Sequence, residues 1–188
     1  MPDLREQLGE CFQGRLCIMG LGNIDYGDDG LGVRLAEKLA AAGVPDVIVA
    51  GTMPERFIDS TIDTGYDYLL FLDAVEFSAP AGSVVFLNTE EMAARFPQIS
   101  THKISLGLLA KLVEEKGKTR ARLLGIQPES LKSTEELSPV VRETLEILND
   151  LLCDLWNSKN KNNASTLSTP GFRGSRTQAE APKTEVSV

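Results

Sequence analysis

Hydrophobic and polar positions alternate between two rhythms along this chain. Short runs of three to eight residues, rich in apolar side chains, are separated by longer stretches in which apolar residues recur every three or four positions. The runs Arg15–Leu21, Val47–Val49, Tyr68–Leu72, Ser83–Leu87 and Arg120–Gln127 read as strands. Between them, about 29–42, about 104–116 and about 138–156 read as helices, with shorter helices after Pro54 and after Thr89. Leu4, Leu8 and Phe12 recur every four residues and predict a leading helix within 1–13. Gly43, Gly117 and Pro128 stand where elements stop, and Thr89 is the expected cap of the helix it opens. Strands alternating with helices predict a three-layer α/β sandwich. Its centre is a twisted, mainly parallel five-stranded sheet with helices on both faces.

After Trp156 the pattern disappears. Asn, Ser, Thr, Lys, Pro and Gly dominate 157–188, a composition that buries too little surface to offset its ordering entropy. We therefore expect one α/β domain over 1–156 and a disordered tail over 157–188. The tail carries five basic residues against two acids, a net of +3, so of the chain's net charge of −8 the folded part carries −11. An acidic body lacks the basic footprint of nucleic-acid binding. No apolar run approaches the ~18 residues of a membrane span, and the first ten residues lack the apolar core of a signal peptide. The three cysteines, Cys11, Cys17 and Cys153, form no C-x-x-C pair. Their odd number predicts free thiols in a reducing cytoplasm, with Cys17 and Cys153 as small core residues. A monomer is the expected state.

The candidate chemistry sits where strands end. The segment Gly20-Leu21-Gly22-Asn23-Ile24-Asp25-Tyr26-Gly27-Asp28-Asp29-Gly30-Leu31-Gly32 joins the first strand to the first long helix. In a parallel sheet this junction lies at the carboxyl edge, where ligands bind. The first two glycines fit a dinucleotide loop, but Asp25 takes the third glycine's place and Asp28 and Asp29 follow. Three carboxylates oppose a pyrophosphate, and no G-x-x-x-x-G-K-[ST] pattern is present, so no nucleotide is expected. Of the adjacent acids, one is expected to cap the helix and the other to face solvent or a site.

Asp73 ends the third strand at the same edge, and the single histidine, His102, precedes a helix. Asp29, Asp73 and His102 form a donor set of two carboxylates and one imidazole, suited to Ni²⁺, Zn²⁺, Fe²⁺ or Mn²⁺ with coordination positions left open. A serine triad lacks its G-x-S-x-G elbow, and a Cys–His pair lacks an exposed thiol. Asp63-Thr64-Gly65 copies the aspartic-protease tripeptide, but in an α/β chain it reads as a turn.

Four motifs in order carry a resemblance: the Gly20–Gly32 segment, Asp73-Ala74, Ser100-Thr101-His102-Lys103, and Gly125-Ile126-Gln127-Pro128. Over about residues 14–156 the chain resembles nickel–iron hydrogenase maturation endopeptidases. It is most similar to the branch that processes the large subunit of hydrogenase 3, of the formate hydrogenlyase type. The resemblance implies a peptidase that removes a C-terminal extension from the nickel-loaded large-subunit precursor. It places Asp29 and Asp73 on the two acidic metal ligands and His102 on the third, with nickel carried by the substrate. Where many relatives have Asp-Gly-Gly after the second strand, this chain has Ala50-Gly51-Thr52. A nickel-binding chaperone that does not cleave, and a peptidase of the same fold acting on another protein, are the rival readings.

Overall fold

The computed structural model describes residues 3–95 and 105–166. The elements run α1 (Leu4–Gln13), β1 (Leu16–Leu21), a 3₁₀ turn (Gly27–Gly30), α2 (Leu31–Ala41), β2 (Val47–Gly51), α3 (Glu55–Thr64), β3 (Tyr68–Ala74), β4 (Val84–Asn88), α4 (Thr89–Arg95), α5 (Leu106–Lys116), β5 (Arg120–Ile126) and α6 (Pro139–Thr166). The strands form one sheet in the order β2-β1-β3-β5-β4. Four are parallel and β4 runs antiparallel to β5. The expected three-layer sandwich with a mainly parallel five-stranded sheet is the observed fold.

Period-two alternation sorts the strand residues between two cores. Leu16, Ile18, Leu70, Leu72, Leu124 and Ile126 face the side covered by α1, α2 and α6, where Leu35, Leu39, Leu148 and Leu152 meet them. Cys17, Met19, Leu69, Phe71 and Leu123 face the other side, against Ile58 of α3, Met92 of α4 and Leu109 and Val113 of α5. The central strand β3 is therefore buried on both faces, as its unbroken Leu69-Leu70-Phe71-Leu72 run requires. Edge strands β2 and β4 are only half-buried.

Local signals explain most boundaries. Asp3 and Glu6 close a reciprocal capping box at α1. Gly65 ends α3 in the left-handed region (φ 69°), so Asp63-Thr64-Gly65 is a helix terminus and not a protease loop. Two expectations need correction. The cap of α4 is Asn88, not Thr89: Asn88 Oδ1 accepts from Glu91 N–H, and Glu91 returns a bond to Asn88 N–H. Thr89 is instead the first helical residue, and buried. The last helix passes Trp156 and continues to Thr166, so residues 157–166 are helical where a disordered tail was expected. The physical reason lies at Lys159. Its ammonium donates to the Gly14 carbonyl (2.6 Å) and sits over the Trp156 ring, which ties the extra turns to the α1–β1 junction. Residues 167–188 lie outside the described part. Among the described residues no helix is long and apolar enough to cross a membrane.

Close packing of α2 onto the carboxyl ends of β1 and β3 positions everything that follows. A Cβ on Gly32 would lie 2.1 Å from the Leu72 carbonyl oxygen and 2.5 Å from that of Leu21. One on Gly20 would lie 2.4 Å from the Gly32 carbonyl oxygen and 2.5 Å from Ala36 Cβ. These two glycines are contact surfaces between helix and strand. Gly32→Ala should cost about 3 kcal/mol in urea unfolding, because backbone and not a movable side chain must shift. Gly9→Ala meets nothing closer than 3.9 Å within α1 and should stabilise by about 0.5–1 kcal/mol. Equal effects of the two substitutions would contradict the packing account.

Candidate active site

The loop after β1 holds Asp29 by a sequence of forced turns. Gly22 has φ 112°, and a Cβ there would fall 1.7 Å from the Asp29 carbonyl oxygen, so only glycine lets the 3₁₀ turn lie against the strand end. Asn23 Oδ1 accepts from Asp25 N–H in an Asx turn, and the Asn23 carbonyl accepts from Tyr26 N–H. Asp29 N–H donates to the Tyr26 carbonyl. The Asp29 carboxylate then turns back and accepts from Asn23 N–H at 2.7 Å. It is 5% exposed. With Asn23, Tyr26, Thr52 and Leu131 it lines a cavity of about 280 Å³.

Asp73 arrives from the next strand over. Register places Gly20 of β1 opposite Leu72 and Gly125 of β5 opposite Asp73, so the acid stands at the carboxyl edge beside the acidic loop. It is 8% exposed. Burial pushes its carboxyl well above the ordinary carboxylate range, and the negative charge of Asp29 pushes it further; a hydrogen bond from Ala74 N–H opposes both. A buried acid whose charged form is disfavoured by burial and by a second acid beside it sits in an electrostatic trap. A proton relieves it, and so does a cation.

Asp28 does something else. Its side chain is completely buried and caps no helix at its own end of the chain. Oδ2 accepts from Glu129 N–H (2.9 Å), Ser130 N–H (3.0 Å) and the Ser138 hydroxyl (2.7 Å), and Oδ1 accepts from Ser138 N–H (2.7 Å). The expectation that one of the two acids caps α2 is thus replaced. Asp28 fastens the β5–α6 loop to the site and holds the start of α6. Backbone bonds add to this clasp, with Thr134 N–H donating to Asp25 and Asp28 N–H to Ser130. Leu131, in the same loop, is brought to the wall of the Asp29 cavity.

Gln127 makes a matching clasp on the far side. Its Oε1 accepts from Phe77 N–H (2.8 Å) and Ala79 N–H (3.3 Å), and its Nε2 donates to the Pro128 carbonyl. The loop that follows Asp73 is thereby tied to the end of β5. Gly125 allows it, since a Cβ there would lie 2.4 Å from Val75 Cγ2. The Gly-Ile-Gln-Pro motif therefore acts through positioning.

Sequence reading named Asp29 and Asp73 and the structure brings them together. His102 lies outside the described residues. Among the described residues no three His, Cys, Asp or Glu side chains meet as a group able to hold a metal ion. The roles of Asp28 and Gln127 were missed. The signal for Asp28 was a second acid inside a tight glycine turn; for Gln127 it was an uncharged polar residue closing a buried strand. The thiols offer no nucleophile: burial raises Cys11 to about 11 and Cys17 to about 12.

The fold and the site together are those of a three-layer α/β sandwich with a carboxylate pair at its carboxyl edge, clasped by two loops. A family model described as HycI, hydrogenase maturation protease, matches residues 33–154. The hydrogenase 3 maturation protease of Escherichia coli (strain K12) is 32% identical over 134 residues, covering 70% of this chain and 82% of that one. The hydrogenase 2 maturation protease of the same organism is 30% identical over 141 residues, covering 70% and 84%. The crystal structure of the [NiFe] hydrogenase maturation protease HycI from Thermococcus kodakarensis KOD1 superposes with a TM-score of 0.72 at 29% identity, covering 80% of this chain and 99% of that one. This chain belongs to the hydrogenase maturation protease family and is a peptide hydrolase.

Two outcomes check the site. Asp28→Ala leaves three backbone donors and a hydroxyl unpaired and should destabilise the fold by about 3 kcal/mol, measured by denaturant unfolding. Asp73→Asn tests the electrostatic trap. A carboxyl raised in the fold gives stability that is complete below its unfolded value of 3.8 and is lost as pH rises through the folded one. Asp73→Asn should therefore melt higher than the parent at about pH 7, with the gap closing towards about pH 4. A gap constant with pH would contradict it.

Proposed function

We propose that this chain removes a C-terminal extension from the large-subunit precursor of a nickel–iron hydrogenase. In this reading nickel already seated in the precursor is the feature recognised, and Asp29, Asp73 and His102 are the side chains that meet it. The observation that carries the proposal is the buried Asp29–Asp73 pair: burial and then the neighbouring Asp29 charge raise the cost of ionising Asp73, and a divalent cation removes that cost. The metal is substrate cargo and not a resident cofactor, and no nucleotide takes part. A reducing cytoplasm, supported by three unpaired cysteines, and a monomeric state complete the reading.

The chemistry is hydrolysis of one amide. Water adds to the scissile carbonyl, the carbon–nitrogen bond breaks, and the departing amine takes a proton. The nickel ion would polarise the carbonyl or the attacking water. A second reading has a specific observation behind it. A buried carboxyl whose charged form is disfavoured, beside a second carboxyl, is the arrangement of an acid–base pair, with Asp29 accepting the proton of water and Asp73 supplying one to the product amine. In that case the metal directs recognition and takes no part in bond cleavage.

Mass spectrometry of a co-expressed precursor tests the proposal. The parent chain should shorten the precursor at its C-terminus when nickel is supplied and leave it whole when nickel is withheld. Asp73→Ala and His102→Ala should remain folded and leave the precursor uncut, a loss of at least about 100-fold. Unprocessed nickel-loaded precursor with the parent chain would contradict the proposed substrate. Full processing by both variants would contradict the assigned residues.

A further inference from the structure

Among the described residues the sheet edge nearest the site is open: β2 is an outer strand, paired only with β1. Ile18 stands opposite Val47 and Gly20 opposite Val49, and Ile18 N–H donates to the Asp46 carbonyl. In a parallel ladder this register turns the N–H and C=O groups of Ile48 towards β1 and those of Val47 and Val49 outward. No proline or charge interrupts Val47–Gly51, and Val49 is 43% exposed. Natural edge strands are blunted by lysine, proline or bulges on the open side. The one irregularity in this pairing comes later, between Gly20 and Leu21, where the strand reaches the site.

The edge leads into the cavity. Directly after β2, Thr52 lines the same 280 Å³ space as Asp29, and Met53 follows it, exposed. Tyr26 and Leu131 form apolar walls of that cavity. Val49 on β2, Met53 just after Thr52, and Ile24 and Tyr26 on the Asp29 loop are exposed, as is Leu131. Only three other large apolar side chains are exposed among the described residues, all on α5 and α6. Scattered apolar residues need no explanation, but exposed ones on an edge strand and on the loops that line the cavity of a buried carboxylate mark a docking track.

We propose that the protein segment to be cut binds as an added strand along β2, its backbone bonded to the outward groups of Val47 and Val49, with its scissile end delivered to Asp29. The occupant is an extended, largely apolar peptide, because β2 offers main-chain hydrogen bonds, two apolar positions and no charge. This rests on the reading of the chain as a precursor-processing peptidase. It adds the mode of substrate recognition: backbone pairing at the sheet edge, with side-chain selection left to the Tyr26–Leu131 cavity.

The experiment uses the full chain and nickel-loaded precursor, with cleavage by the parent chain as the reference. Val49→Pro removes one outward N–H without touching the ladder to β1. It should raise KM for the precursor about tenfold, with kcat and melting temperature near those of the parent. Val49→Ala keeps the N–H and should restore most of the affinity. An unchanged KM in a stably folded Val49→Pro chain overturns the proposal. If Val49→Pro fails to fold, amide hydrogen exchange of the parent chain decides. A saturating synthetic peptide spanning the mapped cut should slow exchange at Val47 and Val49 and leave Ile48 as it was; unaltered exchange at Val47 and Val49 overturns the proposal. Absence of cleavage by the parent chain itself would instead contradict the functional reading on which this rests.

Discussion

The structure turns on two carboxylates that burial forces into each other's field. Asp29, in the turn after β1, and Asp73, at the end of β3, are more than forty residues apart in the chain, yet both stand at the carboxyl edge of adjacent strands with almost no contact with water. The fold keeps them there with interactions that favour burial: the Leu69–Leu72 run of β3 contributes about 2 kcal/mol per side chain, and α2 packs tightly over the same strand ends. The acids are held by a core that has no other use for them.

Two hydrogen-bond clasps turn this strained pairing into a shaped site. Asp28 binds the β5–α6 loop at four points, and Gln127 binds the β3–β4 loop at two. Both clasps attach mobile classes of backbone to rigid strand ends, which is how a loop site achieves fixed geometry. The doubled acid therefore divides its labour. Asp28 is structural and fully satisfied. Asp29, one residue on, spends one oxygen on Asn23 N–H and presents its carboxylate to the cavity.

Much of this was legible from the residues. Short apolar runs located all five strands to within two residues, because the central strands are buried on both faces and their apolar runs are unbroken. The glycine spacing pointed to a close approach of helix and strand. Asp29 and Asp73 were legible because an acid at the end of a buried strand has few structural excuses. Other features depended on contacts that no local pattern contains. Asp28 reaches residues about a hundred positions away, so a capping role was the natural but mistaken expectation. The added turns of α6 depend on Lys159 meeting Gly14, a tertiary contact that overrides a helix-poor composition. The open edge of β2 followed from strand order, which the alternation of elements does not specify.

The central claim is that Asp29 and Asp73 share one site whose charge is balanced by a divalent ion. Anomalous diffraction from a crystal of the full chain soaked in nickel tests it most directly. The account predicts one strong peak bound by an oxygen of each carboxylate at about 2.0–2.2 Å, with positions left open for the substrate. A nickel peak elsewhere, with these two carboxylates bare, would contradict it.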